Sequence, residues 1–354
     1  MDELRDLPLR DFRPRPSVRR TRTELPALPP TPIVDAHNHL GRWHTGEWPS
    51  PDAGALLATM DTSSVEAIVN LDGTWGDELE ANLDRYDRAH PGRFATFARW
   101  DRDLFARGAW GELGMQARES FARGAAGLKV WKDLGLHLRD DRGELVTPDD
   151  PRLDPVWDAV VAAGVPVTIH VGDPVAFFEP LDGTNERLEE LLENPDWWFG
   201  DRSRFPSFDR IMDALEALIA RRSDVTWIGA HVLGCAEDLS WVGRILDTHP
   251  NAHFDVAARI AELGRVPRAA RDLIVRHAGR VLFGTDAFPP EPAVYAVHRR
   301  FFETADEAFP YDPDPDADEP PTQGRWTISG LDLPPDVLEA VYRGNARRLI
   351  TDPR

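Results

Sequence analysis

Eight short apolar segments alternate with longer amphipathic ones, and no other feature of this chain limits its fold as strongly. They occupy residues 33–39, 66–72, 93–101, 125–135, 165–174, 225–234, 252–259 and 280–289. Short, partly β-branched apolar runs are typical of buried strands. Helical patterns such as RLDPVWDAVVAAG and FDRIMDALEALIARR lie between them. Strands that alternate with helices run parallel and are buried on both sides.

Eight such units in a chain of 354 residues most simply close into a (β/α)₈ TIM barrel. A doubly wound open sheet is the alternative, but no glycine-rich phosphate-binding loop follows the first strand. We predict the barrel over residues 32–354. Residues 1–31 are rich in Arg and Pro and have no sustained period, so we predict an extended or disordered N-terminal arm that wraps the body or a partner subunit.

Composition limits the partners of this chain. The net charge of −20 argues against binding to nucleic acid or to an anionic membrane. The one cysteine, Cys235, cannot form an intramolecular disulfide, which favours a reducing compartment. No apolar run is long enough to cross a bilayer, and the N-terminus lacks the apolar stretch of a secretory signal. We expect a cytoplasmic homodimer that acts on a small molecule.

Polar residues stand at the predicted C-terminal ends of several strands, which is where barrel enzymes carry their active sites. Two histidines that are two positions apart on the first strand point their imidazoles the same way. Other candidates lie on strands four, five, six and eight. In chain order the set is His37, His39, Lys129, His170, His231 and Asp286.

This ordered set of HxH, Lys, His, His and Asp resembles the amidohydrolase superfamily. The resemblance extends from Ile33 to the segment YRGNARRLI at residues 342–350. The motifs HNHL, GLKVWK, VTIH, IGAH and FGTD are similar to one branch of it. That branch contains aminocarboxymuconate-semialdehyde decarboxylase, aromatic-acid decarboxylases and lactone hydrolases. The resemblance implies a metal-dependent enzyme that carries out hydrolysis or decarboxylation.

Imidazole nitrogens and a carboxylate oxygen are suitable ligands for Zn²⁺, with Mn²⁺ or Fe²⁺ as substitutes. We expect one divalent transition metal, and its ligands are predicted to be His37, His39, His170 and Asp286. His231 is then placed to orient or deprotonate a metal-bound water, or to polarise a substrate carbonyl. Asp286 would also carry a proton.

Lys129 leaves two arrangements open. In the two-metal branch of the resembled superfamily, a carboxylated lysine on strand four bridges both metals, and His170 and His231 would then serve the second one. In the one-metal branch the lysine is uncarboxylated and can pair with an anionic substrate. Because the closer resemblance is to the one-metal branch, we predict that Lys129 contacts the substrate.

Two further segments are predicted to form the substrate pocket. The long segment after strand five exceeds a minimal connection and carries Phe177, Phe178 and Trp197–Phe199. It is predicted to cover an aromatic or otherwise flat substrate, with Phe178 in contact with it, although self-packing or a subunit contact is an equal alternative. In GRWHTGEW, after strand one, Trp43 and His44 are candidates for the pocket wall.

We therefore expect a hydrolase that uses a metal-activated water on a C–O or C–N bond of a small cyclic or aromatic carboxylate, lactone or amide. The alternative is a non-oxidative decarboxylase of an aromatic or dienoic acid. The segment after His231 reads VLGCAEDL and lacks the Gly-Glu pair that decarboxylases of the resembled branch usually have there. An inactive binding protein is disfavoured, because every expected metal ligand is present.

Overall fold

Eight parallel strands form one sheet in the computed structural model, in the same order as in the sequence. The structure describes residues 4–12, 22–43, 45–312, 321 and 323–352. The strands are β1 (Ile33–Asn38), β2 (Val65–Asn70), β3 (Phe94–Ala98), β4 (Gly127–Val130), β5 (Val167–Ile169), β6 (Trp227–Gly229), β7 (Ala252–Asp255) and β8 (Val281–Leu282). Backbone hydrogen bonds from Ala36 N to Phe283 O and from Asp286 N to His37 O join the last strand to the first. The predicted TIM barrel is confirmed.

Helices surround the barrel and follow the strands along the chain. They are α1 (Ala53–Thr62), α2 (Gly76–Leu83), α3 (Asp103–Ala106), α4 (Trp110–Arg123), α5 (Asp154–Ala163), α6 (Leu188–Glu193), α7 (Phe208–Arg221), α8 (Leu239–Thr248), α9 (Ile260–Leu263), α10 (Pro267–Arg276), α11 (Pro292–Glu303) and α12 (Pro335–Glu339). Helix α7 shows why such segments fold this way: Ser207 caps its first turn, and Ile211, Leu215 and Leu218 repeat at helical spacing on its buried face. None of the described helices is long and apolar enough to span a membrane.

Apolar side chains fill one part of the barrel interior. Val34, Val69 and Phe97 pack there with Ala346 and Ile350 from the C-terminal segment. His253 on β7 is buried as well, and burial, helped by the charges of Arg280 and Arg348, lowers its pKa to about 4. His253 lies apart from the other strand histidines described below.

The strand register aligns the other end of the barrel. Val130 on β4 pairs with Ile169 on β5, Ile169 pairs with Gly229 on β6, and Gly229 pairs with Phe254 on β7. The residues that come directly after these positions therefore lie on one rim. They are Trp131, His170, Ala230 and Asp255.

The described part of the N-terminal arm contacts the barrel. The backbone N–H and the hydroxyl of Thr23 donate to Asp306, at 3.0 and 2.7 Å. Arg299 on α11 donates to the carbonyl oxygens of Pro26 and Ala27. Residues 1–3 and 13–21 lie outside the described part, so the extent of the arm stays a prediction.

Candidate metal centre and cavity

The two histidines of β1 are buried, and each contacts a carboxylate at the end of another strand, β7 for His37 and β2 for His39. Nδ1 of His37 lies 2.8 Å from Asp255 Oδ2, and Nδ1 of His39 lies 2.8 Å from Asp72 Oδ1. Because an ionised carboxylate only accepts hydrogen bonds, we place the proton of each ring on Nδ1. Each Nε2 atom then carries the lone pair that a metal ligand needs, and this is the arrangement that orients imidazoles for metals.

His170 and His231 also each have one ring nitrogen facing an oxygen acceptor. Nδ1 of His231 lies 2.8 Å from the carbonyl oxygen of Ala257, which also only accepts, so its Nε2 keeps a lone pair. His170 is reversed, since its Nε2 lies 3.3 Å from Asp173 Oδ1 while its buried Nδ1 has no hydrogen-bond partner. The two ring centroids are 4.4 Å apart. Burial is the main cause that lowers the pKa of both rings, so both are neutral near pH 7.

Strained backbone holds two of these groups in place. His231, with φ of 57°, and Asp286, with φ of 59°, both adopt the left-handed conformation that residues other than glycine rarely take. Val232 and Leu233 continue it after His231. Asp255 Oδ1 accepts the backbone N–H of His231 at 3.0 Å, and the Asp286 N–H donates to His37 O. Such strain persists where the surrounding contacts fix it, and it concentrates at functional sites.

The carboxylate of Asp286 lies among three of the imidazoles. Its Oδ1 is 3.4 Å from His39 Nε2 and 3.8 Å from His37 Nε2, and its Oδ2 is 3.9 Å from His231 Nε2. This Oδ1 is buried without a hydrogen-bond partner among the described residues. Burial raises the pKa of Asp286, against the influence of His39 and Lys129.

The donor set fits a divalent transition metal. One ligand atom each from His37, His231 and Asp286 lie within 4.8 Å of one another, with His39 beside them. Imidazole nitrogens around a carboxylate provide the N and O ligands that Zn²⁺, Mn²⁺ and Fe²⁺ accept. His231 is thus placed where it could also hold the metal, and His170 beside it has a buried Nδ1 with no hydrogen-bond partner among the described residues.

Lys129 is fully buried below this cluster. Its Nζ lies 3.4 Å from His37 Nε2. Burial lowers its pKa to about 8, although the charges of Asp255 and Asp286 act in the opposite direction. Lys129 is not among the residues that line the cavity, so its predicted contact with substrate stays a prediction.

A cavity of about 690 Å³ opens above the cluster. His39, His170, His231 and Asp286 lie at its base, and Trp43 is among the residues of its wall. Its aromatic wall consists of Trp43, Trp131, Phe177, Trp197, Trp198, Phe199, Phe205 and Phe288. His44, the other candidate for this wall, lies outside the described residues.

The segment after β5 forms much of the cavity wall. Phe177, Trp197 and Trp198 reach the cavity from it. Phe178 does not line the cavity, because it packs against Phe199 and Phe208 at ring distances of 5.3 and 5.5 Å. The structure thus places Phe177, and not Phe178, where substrate contact was expected.

Several site residues were not found from the sequence. They are the carboxylates Asp72, Asp173 and Asp255, together with Arg99 and Trp131. The guanidinium of Arg99 lies 3.7 Å from the Trp43 ring and 3.5 Å from Asp72 Oδ1, and burial lowers its pKa to about 10. A usable signal was present for Asp72, because it ends the predicted segment 66–72, the kind of position that selected the histidines. Asp255 lies in the middle of the predicted segment 252–259 and gave no such signal.

Known proteins place the chain in a family. An amidohydrolase family model matches residues 34–350. No curated protein matches the chain. Similar solved structures include 2,6-dihydroxybenzoate decarboxylase from Rhizobium, which is 17% identical with a TM-score of 0.54 over 90% of this chain and 98% of that one.

Two other solved structures are a dihydroxybenzoic acid decarboxylase from Polaromonas sp. with bound manganese (15% identity, TM-score 0.52, 90% and 96% of the chains covered) and an amidohydrolase from Burkholderia multivorans (15%, 0.50, 90% and 99%). At such identities these likenesses show the fold alone. The family match, in contrast, spans most of the chain and agrees with the resemblance found in its motifs. This protein therefore belongs to the amidohydrolase family, whose members are metal-dependent enzymes.

Proposed function

We propose that this protein is a hydrolase that binds one divalent metal and cleaves a C–O or C–N bond in a small cyclic or aromatic carboxylate, lactone or amide. Its metal ligands are His37, His39, His170 and Asp286. Zn²⁺ is our first choice, with Mn²⁺ or Fe²⁺ as substitutes; the manganese bound by the Polaromonas decarboxylase supports the second. When bound, the metal lowers the pKa of a water molecule and polarises a carbonyl group.

The side chains of this chain supply the rest of the chemistry. Asp286 accepts the proton of the attacking water at the carboxylate oxygen that does not bind the metal, and passes this proton to the leaving group. His231, with a free Nε2 lone pair 3.9 Å from Asp286 Oδ2, orients the water or the substrate carbonyl.

The polarity of the cavity is the observation that favours hydrolysis. Ten of its 26 lining residues carry formal charge, including Asp133, Asp196 and Arg204. Such a wall admits water, which hydrolysis consumes. A carboxylate loses CO₂ more readily where the site removes its hydration, and a wall of this charge density works against that.

Labelled oxygen tests the proposal. Metal-loaded protein is incubated in ¹⁸O-water with a panel of aromatic lactones, esters and amides. The expected product carries one solvent oxygen in its new carboxyl group. Asp286→Asn should be nearly inactive, whereas Asp209→Asn on the exposed side of α7 should match the native rate. CO₂ release without solvent oxygen in the product would refute hydrolysis.

A decarboxylase is the second candidate. The aromatic side of the cavity suits a flat acid, and two structures of the same fold are named as decarboxylases of dihydroxybenzoic acids. In D₂O, decarboxylation would leave deuterium on the carbon that lost CO₂. Hydrolysis would leave that carbon unlabelled, so one reaction mixture separates the two candidates.

A homodimer is supported by apolar side chains on the described part of the arm. Leu4, Leu9 and Phe12 are 70%, 56% and 53% exposed. A second copy of the chain would cover them. Light scattering that gives the mass of one chain at micromolar concentration would contradict the dimer.

A further inference from the structure

Arg259 is a buried cation on the cavity wall, just after β7. It is 6% exposed and lines the cavity. Four other arginines among the described residues are buried, and each has a carboxylate within 4.0 Å. These pairs are Arg99–Asp72, Arg187–Glu190, Arg222–Asp224 and Arg299–Glu303. Arg259 has no such partner in the described part of the chain, although an unpaired buried charge is unfavourable.

Most of the guanidinium is also unused for hydrogen bonding. One N–H of Arg259 donates to the carbonyl oxygen of Ala258 at 2.8 Å, and that same oxygen accepts a hydrogen bond from Gln323. No other protein acceptor is found for the guanidinium of Arg259 among the described residues. A guanidinium has five N–H donors in a planar fork that matches a carboxylate. The remaining N–H donors of Arg259 lie on a side chain that lines the cavity.

The position of Arg259 is suited to a ligand that also reaches the candidate metal centre. It lines the same cavity as His231 and Asp286. One small molecule in this cavity can therefore contact both the guanidinium and the candidate metal centre.

The other cations of the cavity wall are neutralised or exposed. Arg102 pairs with Asp133 at 2.6 Å, and Lys132 pairs with Asp173 at 2.8 Å. Arg187 pairs with Glu190, and Arg204 is exposed to solvent at the cavity rim. Among the cavity cations of the described chain, only Arg259 is buried without a carboxylate oxygen within 4.0 Å.

We infer that Arg259 binds a carboxylate group of the substrate through paired N–H···O hydrogen bonds and so selects anionic aromatic or cyclic acids. This inference rests on the proposed function for the reaction, but the anion site can be tested without turnover. The bound carboxylate would be the anionic partner that Arg259 lacks within 4.0 Å among the described residues. Paired hydrogen bonds would also orient a flat acid against the aromatic wall.

Calorimetric titration of the metal-loaded protein with benzoate and with benzamide, its neutral analogue, tests the inference. The native protein should prefer benzoate. Arg259→Met should weaken benzoate binding by roughly 10-fold or more and leave benzamide binding unchanged. Arg259→Lys, which keeps the charge but loses the fork, should fall between the two. Arg244→Met on the outer surface of α8 removes the same charge and should bind benzoate as the native protein does.

Three outcomes would overturn the inference. They are native benzoate affinity in both Arg259 variants, equal losses for benzoate and benzamide, and an equal loss in Arg244→Met. The first would mean that another group, such as the metal, binds the anion. Melting curves show that the variants compared are folded. Because no turnover is measured, a failed oxygen-labelling test would refute hydrolysis and leave this result intact.

Discussion

Replacement of Asp255 by Asn should weaken metal binding and leave the protein folded. This fully buried carboxylate accepts two backbone N–H groups at Oδ1, from His231 at 3.0 Å and from Ala257 at 3.1 Å. Its Oδ2 faces Nδ1 of His37 at 2.8 Å. Burial raises its pKa to about 6, so it is ionised at pH 7 and above.

The hydrogen bonds at the two oxygens of Asp255 determine the orientation of the Asn amide that replaces it. The amide has one acceptor oxygen, and the two backbone donors require it at the Oδ1 position. The NH₂ group then faces Nδ1–H of His37, where two donors oppose each other. The conflict is relieved if the His37 proton moves to Nε2, but a protonated Nε2 cannot bind a metal.

The expected loss of metal affinity is roughly 10- to 100-fold, as for other groups that orient a ligand histidine. This corresponds to about 1.4–2.7 kcal/mol. Competition with a chromogenic chelator at pH 7.5 measures it directly. Asp35→Asn is the matched control, since Asp35 is equally buried with its pKa also raised by burial to about 6, yet it contacts no imidazole nitrogen. Unchanged metal affinity in Asp255→Asn, or an equal loss in Asp35→Asn, would refute the reasoning.

Three other predictions address the histidines and the metal. His231→Asn should keep the metal and lower turnover by roughly 10²-fold, whereas His170→Asn should lose the metal; the reverse pattern, from elemental analysis and initial rates, would exchange their roles. Removal of the metal by chelation should lower the melting temperature, because a ligand that binds only the folded state stabilises it; identical melting curves would contradict this. Burial lowers the pKa of His298 from 6.5 to about 4, so the unfolded chain binds more protons between these values and stability falls as pH falls through this window. When the pH is lowered from 7 to 4, the free energy of unfolding of His298→Leu should rise relative to that of the native protein by up to about 3 kcal/mol. Denaturant unfolding that shows the same pH dependence for both proteins would contradict this.

The strands were predictable in number and order but less so in length. The eighth apolar segment covers residues 280–289, whereas β8 is only Val281–Leu282. The fourth covers 125–135, whereas β4 ends at Val130. The reason is that an apolar pattern indicates which residues are buried, but not which of them form hydrogen bonds to a neighbouring strand. Leu134, for example, is buried in a rim loop, where the chain has left the ladder.

The histidines of the site were predictable because strand ends converge in a barrel. Their carboxylate partners were not predicted, since aspartates that follow strands usually serve turns. Phe177 and Phe178 are adjacent in one 3₁₀ turn, Val175–Phe178, and the sequence does not reveal which of them faces the cavity. Arg259 became informative only when the pairing of every other buried arginine was known.

Metal stoichiometry tests the central claim most directly. Protein loaded with Zn²⁺ or Mn²⁺ and freed of excess ion should contain about one metal per chain by elemental analysis. His37→Ala and Asp286→Asn should lose that metal and remain folded. A native protein that takes up no metal, or a His37→Ala variant that retains it, would contradict the account. Two metals per chain with a carboxylated Lys129 would replace it with the two-metal arrangement.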